Sequence, residues 1–162
     1  ELHTIGLIDR LPRLVAAQAD GSDSVAQAVA GDGTLRPARA QTIADSISVR
    51  MPKDGIAAVR AVRESGGFAV TVTDAEILAA MREVARSANV FAEPAAAAAY
   101  AALRKAASEG RVSSRESAAV LITGNGLKDV AAARKAAGKP HLIEPTLPAL
   151  RALVKTGALD AA

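Results

Sequence analysis

Residues 117–129 read S-A-A-V-L-I-T-G-N-G-L-K-D and decide the fold that the sequence predicts. The five apolar residues at 118–122 have a β-branched bias, which favours a central parallel strand buried on both faces. Gly124, Asn125 and Gly126 then predict a turn, because glycine tolerates φ > 0 and lets the backbone approach a ligand closely. A helix is predicted to begin near Lys128.

Thr123 stands where this predicted strand ends. In open α/β sheets, ligands bind beside the carboxyl ends of the strands, so Thr123 is the first candidate for a ligand contact. The same residues also suit an ordinary turn between a strand and a helix, in which Asn125 and Gly126 serve geometry alone. The residues by themselves leave both interpretations open.

Strand and helix patterns alternate along the chain, as is typical of a parallel sheet. Residues 14–19 and 68–72 are short apolar runs that predict two further strands. Together with the helices between them, they predict an α/β fold: a three-layer sandwich with a mostly parallel sheet and helices on both faces. Residues 1–162 are expected to form a single α/β domain, with a variable helical tail at 140–162.

Two helices carry specific signals. The helix predicted at 55–65 places Ile56, Val59 and Val62 on one face. Thr73 and Glu76 form a capping-box pattern ahead of a helix that should end near residue 88. Other helices are predicted up to residue 30, at 94–109, at about 128–137 and around 148–155.

Composition excludes several classes of protein. There are no cysteines, so disulfides and cysteine-based metal sites are excluded, and the isolated His141 leads us to expect no metal site. The net charge is only +3 and aromatic residues make up 2%, which argues against a nucleic-acid surface. No apolar run approaches the ~20 residues that span a bilayer. We therefore expect a cytoplasmic protein without membrane or nucleic-acid partners.

The T-G-N-G-L-K-D segment at 123–129, following an apolar strand, resembles the C-terminal signature of the threonine synthases, pyridoxal-phosphate enzymes of fold type II. Other stretches resemble the family in order and spacing. They are R-L-P-R-L-V-A-A-Q-A-D-G at 10–21, T-I-A-D-S-I at 42–47, A-V-R-A-V-R-E-S-G-G at 58–67, V-T-D-A-E-I-L-A-A-M-R at 72–82 and V-F-A-E-P-A-A-A-A at 90–98. Only the segment at 123–129 distinguishes threonine synthases from their relatives, in which a serine and two glycines usually stand at this place.

The resemblance implies a cofactor site in this chain. Thr123 would hydrogen-bond the ring nitrogen of pyridoxal phosphate, and Gly124 and Asn125 would shape the loop that places it. The resemblance also implies that Glu93 lies beside the cofactor ring. A carboxylate ahead of a helix is equally explained by its favourable interaction with the helix dipole. Lys128 is expected to have a solvent or packing role.

The resemblance further implies that the chain is the C-terminal part of the large domain of a larger enzyme. Leu2, Ile5 and Ile8 have the spacing of one helical face and no initiating methionine precedes them, so the chain is expected to begin within a helix. In the family, the lysine that carries the cofactor and the glycine-rich phosphate loop belong to the N-terminal half. No catalytic residue is therefore expected in this chain, which should be inactive alone, and the complete enzyme is expected to be a homodimer.

Three functions stay open at this point. The leading one is the conversion of O-phosphohomoserine to threonine and phosphate by a threonine synthase. The second is another lyase of fold type II, such as a threonine dehydratase, against which the T-G-N-G residues argue. The third is a binding or assembly module without catalytic activity.

Overall fold

The computed structural model describes residues 1–157, which contain two strands that form one parallel sheet, and six helices. Two short 3-10 turns, Asp45–Ile47 and Gly126–Lys128, complete the secondary structure of this part of the chain. In chain order the elements are β1 (Val15–Ala19), α1 (Ser24–Ala30), α2 (Gly55–Glu64), β2 (Phe68–Val72), α3 (Asp74–Ala88), α4 (Pro94–Ser108), α5 (Val130–Ala137) and α6 (Leu147–Lys155).

The sheet pairs β1 with β2 in parallel, in a register that runs from Val15 opposite Phe68 to Ala19 opposite Val72. Successive side chains of a strand point to opposite faces, so each strand contributes to two separate cores. On one face Ala16 packs with residues of α1 and α2. On the other face Val70 and Val72 pack with residues of α3 and α4. The predicted α/β fold, with a parallel sheet and helices on both faces, is confirmed.

Helix α4 covers the larger core with alanines. Alanine has the highest helix propensity, and Pro94 is compatible with the first helical position because the N–H of that position has no intrahelical acceptor. The alanine face of α4 is buried against the sheet and against α3. Its buried members are Ala96, Ala97, Ala98, Ala101, Ala102 and Ala106. Small side chains let this helix fill the space over the sheet without large apolar residues.

The capping box of α3 is present as predicted. The Thr73 hydroxyl accepts a hydrogen bond from the backbone N–H of Glu76 at 3.2 Å, and the Glu76 carboxylate accepts one from the backbone N–H of Thr73 at 2.7 Å. The predicted inward residues Ile77, Met81 and Val84 are all buried. Strong local signals therefore determine the start and the inner face of this helix.

The prediction of a strand at 118–122 is wrong. These residues have no regular secondary structure and lie outside the sheet, and Leu121 is 75% exposed. A strand needs backbone partners on its edges, and within residues 1–157 the sheet consists of β1 and β2 alone. Apolar composition favours a strand, but a strand also needs an adjacent strand with which to form backbone hydrogen bonds.

Two smaller predictions are also corrected. Residues 2–6 form turns rather than a helix, and Leu2 and Ile5 are exposed there. In α2, Val59 and Val62 are buried, whereas Ile56 is 79% exposed. A step of three residues falls about 60° short of a full helical turn, so Ile56 lies about 120° around the helix from Val62.

The predicted helical tail is present in part as α6, which has no buried residue. The remainder of that prediction, at 158–162, lies outside the described residues. None of the helices within residues 1–157 has the length and apolar character that crossing a membrane requires.

The capping box should make stability depend on pH. Hydrogen bonding to the backbone N–H of Thr73 lowers the pKa of Glu76 below its ordinary value. A carboxyl whose pKa is lowered by folding stabilises the protein above the unfolded pKa, and this contribution disappears as the pH falls through the folded pKa. We expect the free energy of unfolding to fall less between pH 7 and pH 3 in Glu76→Gln than in the wild type, as measured by urea denaturation.

Glu64→Gln is the matched control, because Glu64 is an exposed helical glutamate whose ion pair with Arg60 spans 4.0 Å. It should keep the wild-type dependence on pH. Equal slopes for the wild type and Glu76→Gln would contradict the assignment.

Candidate functional site

The loop after residue 122 is bound to the segment that precedes α4. Ala92 and Asn125 form an isolated antiparallel bridge. The backbone N–H of Glu93 donates to the carbonyl of Gly124 at 3.0 Å, and the N–H of Gly126 donates to the carbonyl of Phe91 at 2.8 Å. Two segments distant in sequence are thereby held side by side, and we call this pairing of 91–93 with 124–126 the loop bridge.

Both glycines of the loop bridge are required by close contact. A Cβ at Gly124 would lie 1.9 Å from Oε1 of Glu93, and one at Gly126 would lie 2.3 Å from the ring of Phe91. The sequence predicted that these glycines let the backbone approach a ligand closely, whereas the groups that press against them here are side chains of the chain itself. It also predicted φ > 0, which is wrong, since neither Gly124 nor Gly126 adopts a positive φ.

Glu93 is the buried charge of the site. Its residue surface is 5% exposed, and it stands at the N-cap of α4 without using its side chain as a cap. Both carboxylate oxygens contact the ammonium of Lys128, at 3.0 and 3.2 Å. A buried carboxylate is costly unless it is paired, so Lys128 and the positive end of the α4 dipole together account for its stability here.

A cleft of about 240 Å³ opens beside this ion pair. One of its walls is the 3-10 turn, which contributes Asp45 and Ser46. The other walls come from the start of α4 and from the residues around the second 3-10 turn. Its lining residues are Asp45, Ser46, Glu93, Pro94, Ala95, Lys128 and Asp129.

Polar side chains hydrogen-bond both ends of the segment 42–49, which contains the 3-10 turn that forms one wall of the cleft. The Asp74 carboxylate accepts from the hydroxyl of Thr42 at 2.5 Å and from the N–H of Ile43 at 3.2 Å. At the other end, the buried hydroxyl of Ser22 donates to the carbonyl of Ile47 at 2.8 Å and accepts from the N–H of Val49 at 2.9 Å. The wall is therefore tied to the elements at the carboxyl ends of both strands.

The structure brings three of the four predicted site residues together. Glu93, Gly124 and Asn125 meet in the loop bridge. The Asn125 side chain accepts from the N–H of Leu127 at 2.9 Å, which caps the 3-10 turn. Thr123 precedes the loop bridge, is exposed, and makes no hydrogen bond to another residue in the described part of the chain. It does not line the cleft.

Sequence reasoning missed the partnership of Lys128 with Glu93. The expected solvent or packing role is incomplete, because this lysine neutralises a buried carboxylate across 35 residues of sequence. The sequence did offer one signal. Glu93 precedes a helix that begins with proline, Lys128 follows a glycine turn, and both segments belong to the same candidate site. Nothing in the pattern alone indicates that the two segments pair.

Comparison with known proteins identifies relatives along most of the chain. The family described as "Pyridoxal-phosphate dependent enzyme" matches residues 3–124. The threonine synthase of Methanocaldococcus jannaschii is 35% identical over 157 residues, which cover 96% of this chain and 39% of that protein. The threonine synthase of Mycobacterium leprae is 44% identical over 129 residues, which cover 80% of this chain and 34% of that protein. The chain thus spans less than half the length of these relatives.

Solved structures agree on the fold. Maize serine racemase aligns with a TM-score of 0.50 and 26% identity, over 69% of this chain and 32% of that one. The T.th. threonine deaminase aligns with a TM-score of 0.51 over 66% of this chain and 38% of that one. The second alignment is only 16% identical and bears on the fold alone.

Gly124→Ala should break the loop bridge, because the new methyl group would overlap the Glu93 carboxylate, which Lys128 holds in place. We expect a loss of about 1–3 kcal/mol in the free energy of unfolding, measured by urea denaturation. The clash is with the side chain of Glu93. The same substitution in a Glu93→Ala background should therefore cost clearly less. An equal cost in both backgrounds would contradict the proposed contact.

Proposed function

Since the chain belongs to the family of pyridoxal-phosphate-dependent enzymes, we propose that it is the C-terminal part of a threonine synthase. The complete enzyme would be a carbon–oxygen lyase acting on a phosphate ester, converting O-phosphohomoserine to threonine and phosphate. Identities of 35% and 44% to two threonine synthases along most of the chain support this proposal.

The observation that carries the proposal is the placement of Thr123. Its hydroxyl is exposed and free of hydrogen bonds to residues 1–157. The next residue, Gly124, is fixed by the carboxylate and the N–H of Glu93. The hydroxyl is therefore available to hydrogen-bond a ligand, beside a loop whose backbone is fixed.

The donor set fits the ring nitrogen of pyridoxal phosphate. A cofactor is tuned by the partner of that nitrogen, and a negatively charged partner would hold a proton on it. Glu93 is the acidic residue that contacts Gly124 in the loop bridge, and its charge is already neutralised by Lys128. The resemblance to the threonine synthases implies that the neutral hydroxyl of Thr123 meets the ring nitrogen, with Gly124 and Asn125 shaping the loop and Glu93 supporting it.

When bound, pyridoxal phosphate withdraws electrons from the bonds at the α-carbon of an amino-acid substrate. Thr123 can hydrogen-bond the ring nitrogen without adding charge, which leaves that withdrawal moderate. Moderate withdrawal suits elimination and replacement at the β and γ carbons, where too stable an α-carbon charge would stall the reaction. The fixed loop bridge would keep the hydroxyl at one position throughout.

We also propose how this chain contributes to the complete enzyme. Residues 1–162 would form a single α/β domain, and an N-terminal half would supply the lysine that holds the cofactor and the loop that binds its phosphate. Alone, the chain would be inactive. The complete enzyme would be a homodimer.

The proposal predicts a specific loss in Thr123→Val, made in the gene product that contains this sequence. Valine keeps the shape of threonine but removes the hydroxyl, so the absorption spectrum of the bound cofactor should shift. Phosphate release from O-phosphohomoserine should fall about tenfold or more, as expected for one lost hydrogen bond to a buried ligand. Thr4→Val, on the exposed opening turn, should match the wild type in both measurements.

The same assay separates the alternatives. A gene product that binds the cofactor and deaminates threonine, but releases no phosphate from O-phosphohomoserine, would be a different lyase. One that binds no cofactor would be a binding module. Normal spectrum and turnover in Thr123→Asp as well as in Thr123→Val would remove Thr123 from the cofactor site.

A further inference from the structure

We propose that Lys128 is a positioning residue, which holds Glu93 in the loop bridge and thereby fixes the orientation of Thr123. This inference rests on the proposed function for its catalytic consequence, but its structural part can be tested without cofactor. It assigns to Lys128 an action through Glu93 rather than contact with a substrate.

Glu93 is buried, whereas its cationic partner is not. Its side chain is 7% exposed, whereas that of Lys128 is 59% exposed. Within residues 1–157, Lys128 is the one basic side chain paired with Glu93. Removing that ammonium would leave a buried carboxylate without a countercharge, which is far more costly than losing an exposed ion pair.

The Glu93 side chain packs against the loop at Gly124. A Cβ added to Gly124 would overlap the Glu93 carboxylate, because it would lie 1.9 Å from Oε1 and 2.2 Å from Cδ. Any movement of this carboxylate toward water removes the packing that bounds Gly124. The N–H of Glu93 also donates to the carbonyl of Gly124, so side chain and backbone of one residue hold the same glycine.

The chain turns back on itself between Gly124 and Lys128. Lys128 ends the 3-10 turn Gly126–Lys128, and its N–H donates to the carbonyl of Asn125 at 3.1 Å. The chain therefore leaves Gly124, turns, and returns an ammonium to the residue that contacts Gly124. Thr123 directly precedes this turn, so the ion pair of the Lys128 side chain with Glu93 bears on the position of Thr123 through the turn.

The experiment is a double-mutant cycle in the gene product that contains this sequence, first in its cofactor-free form. The readout is amide hydrogen exchange in peptides covering 91–93 and 123–127. Lys128→Met should exchange about tenfold faster there than the wild type. Lys128→Arg, which keeps the charge, should restore most of the protection. In a Glu93→Gln background, Lys128→Met should add little, because the buried charge is already gone.

The second readout is the cofactor-loaded form. Lys128→Met should shift the absorption spectrum of the cofactor and lower kcat more than it raises KM, and Lys128→Arg should reverse both changes. If Lys128 instead binds substrate, its loss will raise KM equally in the Glu93→Gln background, and the proposal is overturned. Unchanged exchange in cofactor-free Lys128→Met would also overturn it.

If the proposed function is wrong, the cofactor measurements fail but the hydrogen-exchange measurements do not. A wild-type protein that binds no pyridoxal phosphate would give no spectrum to compare. The exchange results in cofactor-free protein would still decide whether Lys128 holds the loop bridge through Glu93.

Discussion

The contact between the Glu93 carboxylate and the backbone of Gly124 is the constraint on which the candidate site depends. It brings a buried charge against a loop that has no room for a single methyl group. Such an arrangement requires that the charge be neutralised, which the Lys128 ammonium does at 3.0 Å. The same ion pair therefore neutralises Glu93 and keeps its carboxylate against the loop.

The fold provides what this contact requires. Helix α4 must lie close enough to the sheet for its first turn to reach the loop, and its alanine face allows that approach. Pro94 sets the start of the helix, so that Glu93 stands at its N-terminal end, where a carboxylate is favoured. Burial of alanines along α4 thus has a consequence at the end of the helix, where the candidate site lies.

Local signals explain the parts that sequence predicted well. Residues Phe68–Val72 and Asp74–Ala88 form the strand and helix expected, because apolar runs and the capping box at Thr73 act over a few residues. The predicted membership of the pyridoxal-phosphate-dependent enzymes was also correct, and the match to that family confirms the predicted cofactor class. Glu93, Gly124 and Asn125 were predicted as site residues, and the structure places them together.

Non-local pairing explains what sequence could not predict. Residues 118–122 have the composition of a strand, but a strand forms only beside another strand. The partnership of Lys128 with Glu93 depends on the loop bridge, which brings together positions 35 residues apart. Glycine at 124 and 126 suggested a positive φ, whereas the real constraint is the Glu93 side chain and the Phe91 ring pressed against them.

The most direct test of this account is a crystal structure of the gene product that contains this sequence, with pyridoxal phosphate bound. The account predicts that the Thr123 hydroxyl lies within about 3.2 Å of the ring nitrogen, while the Glu93 carboxylate remains against Gly124 and paired with Lys128. A ring nitrogen that contacts a carboxylate or another side chain, with Thr123 turned away from the cofactor, would contradict it.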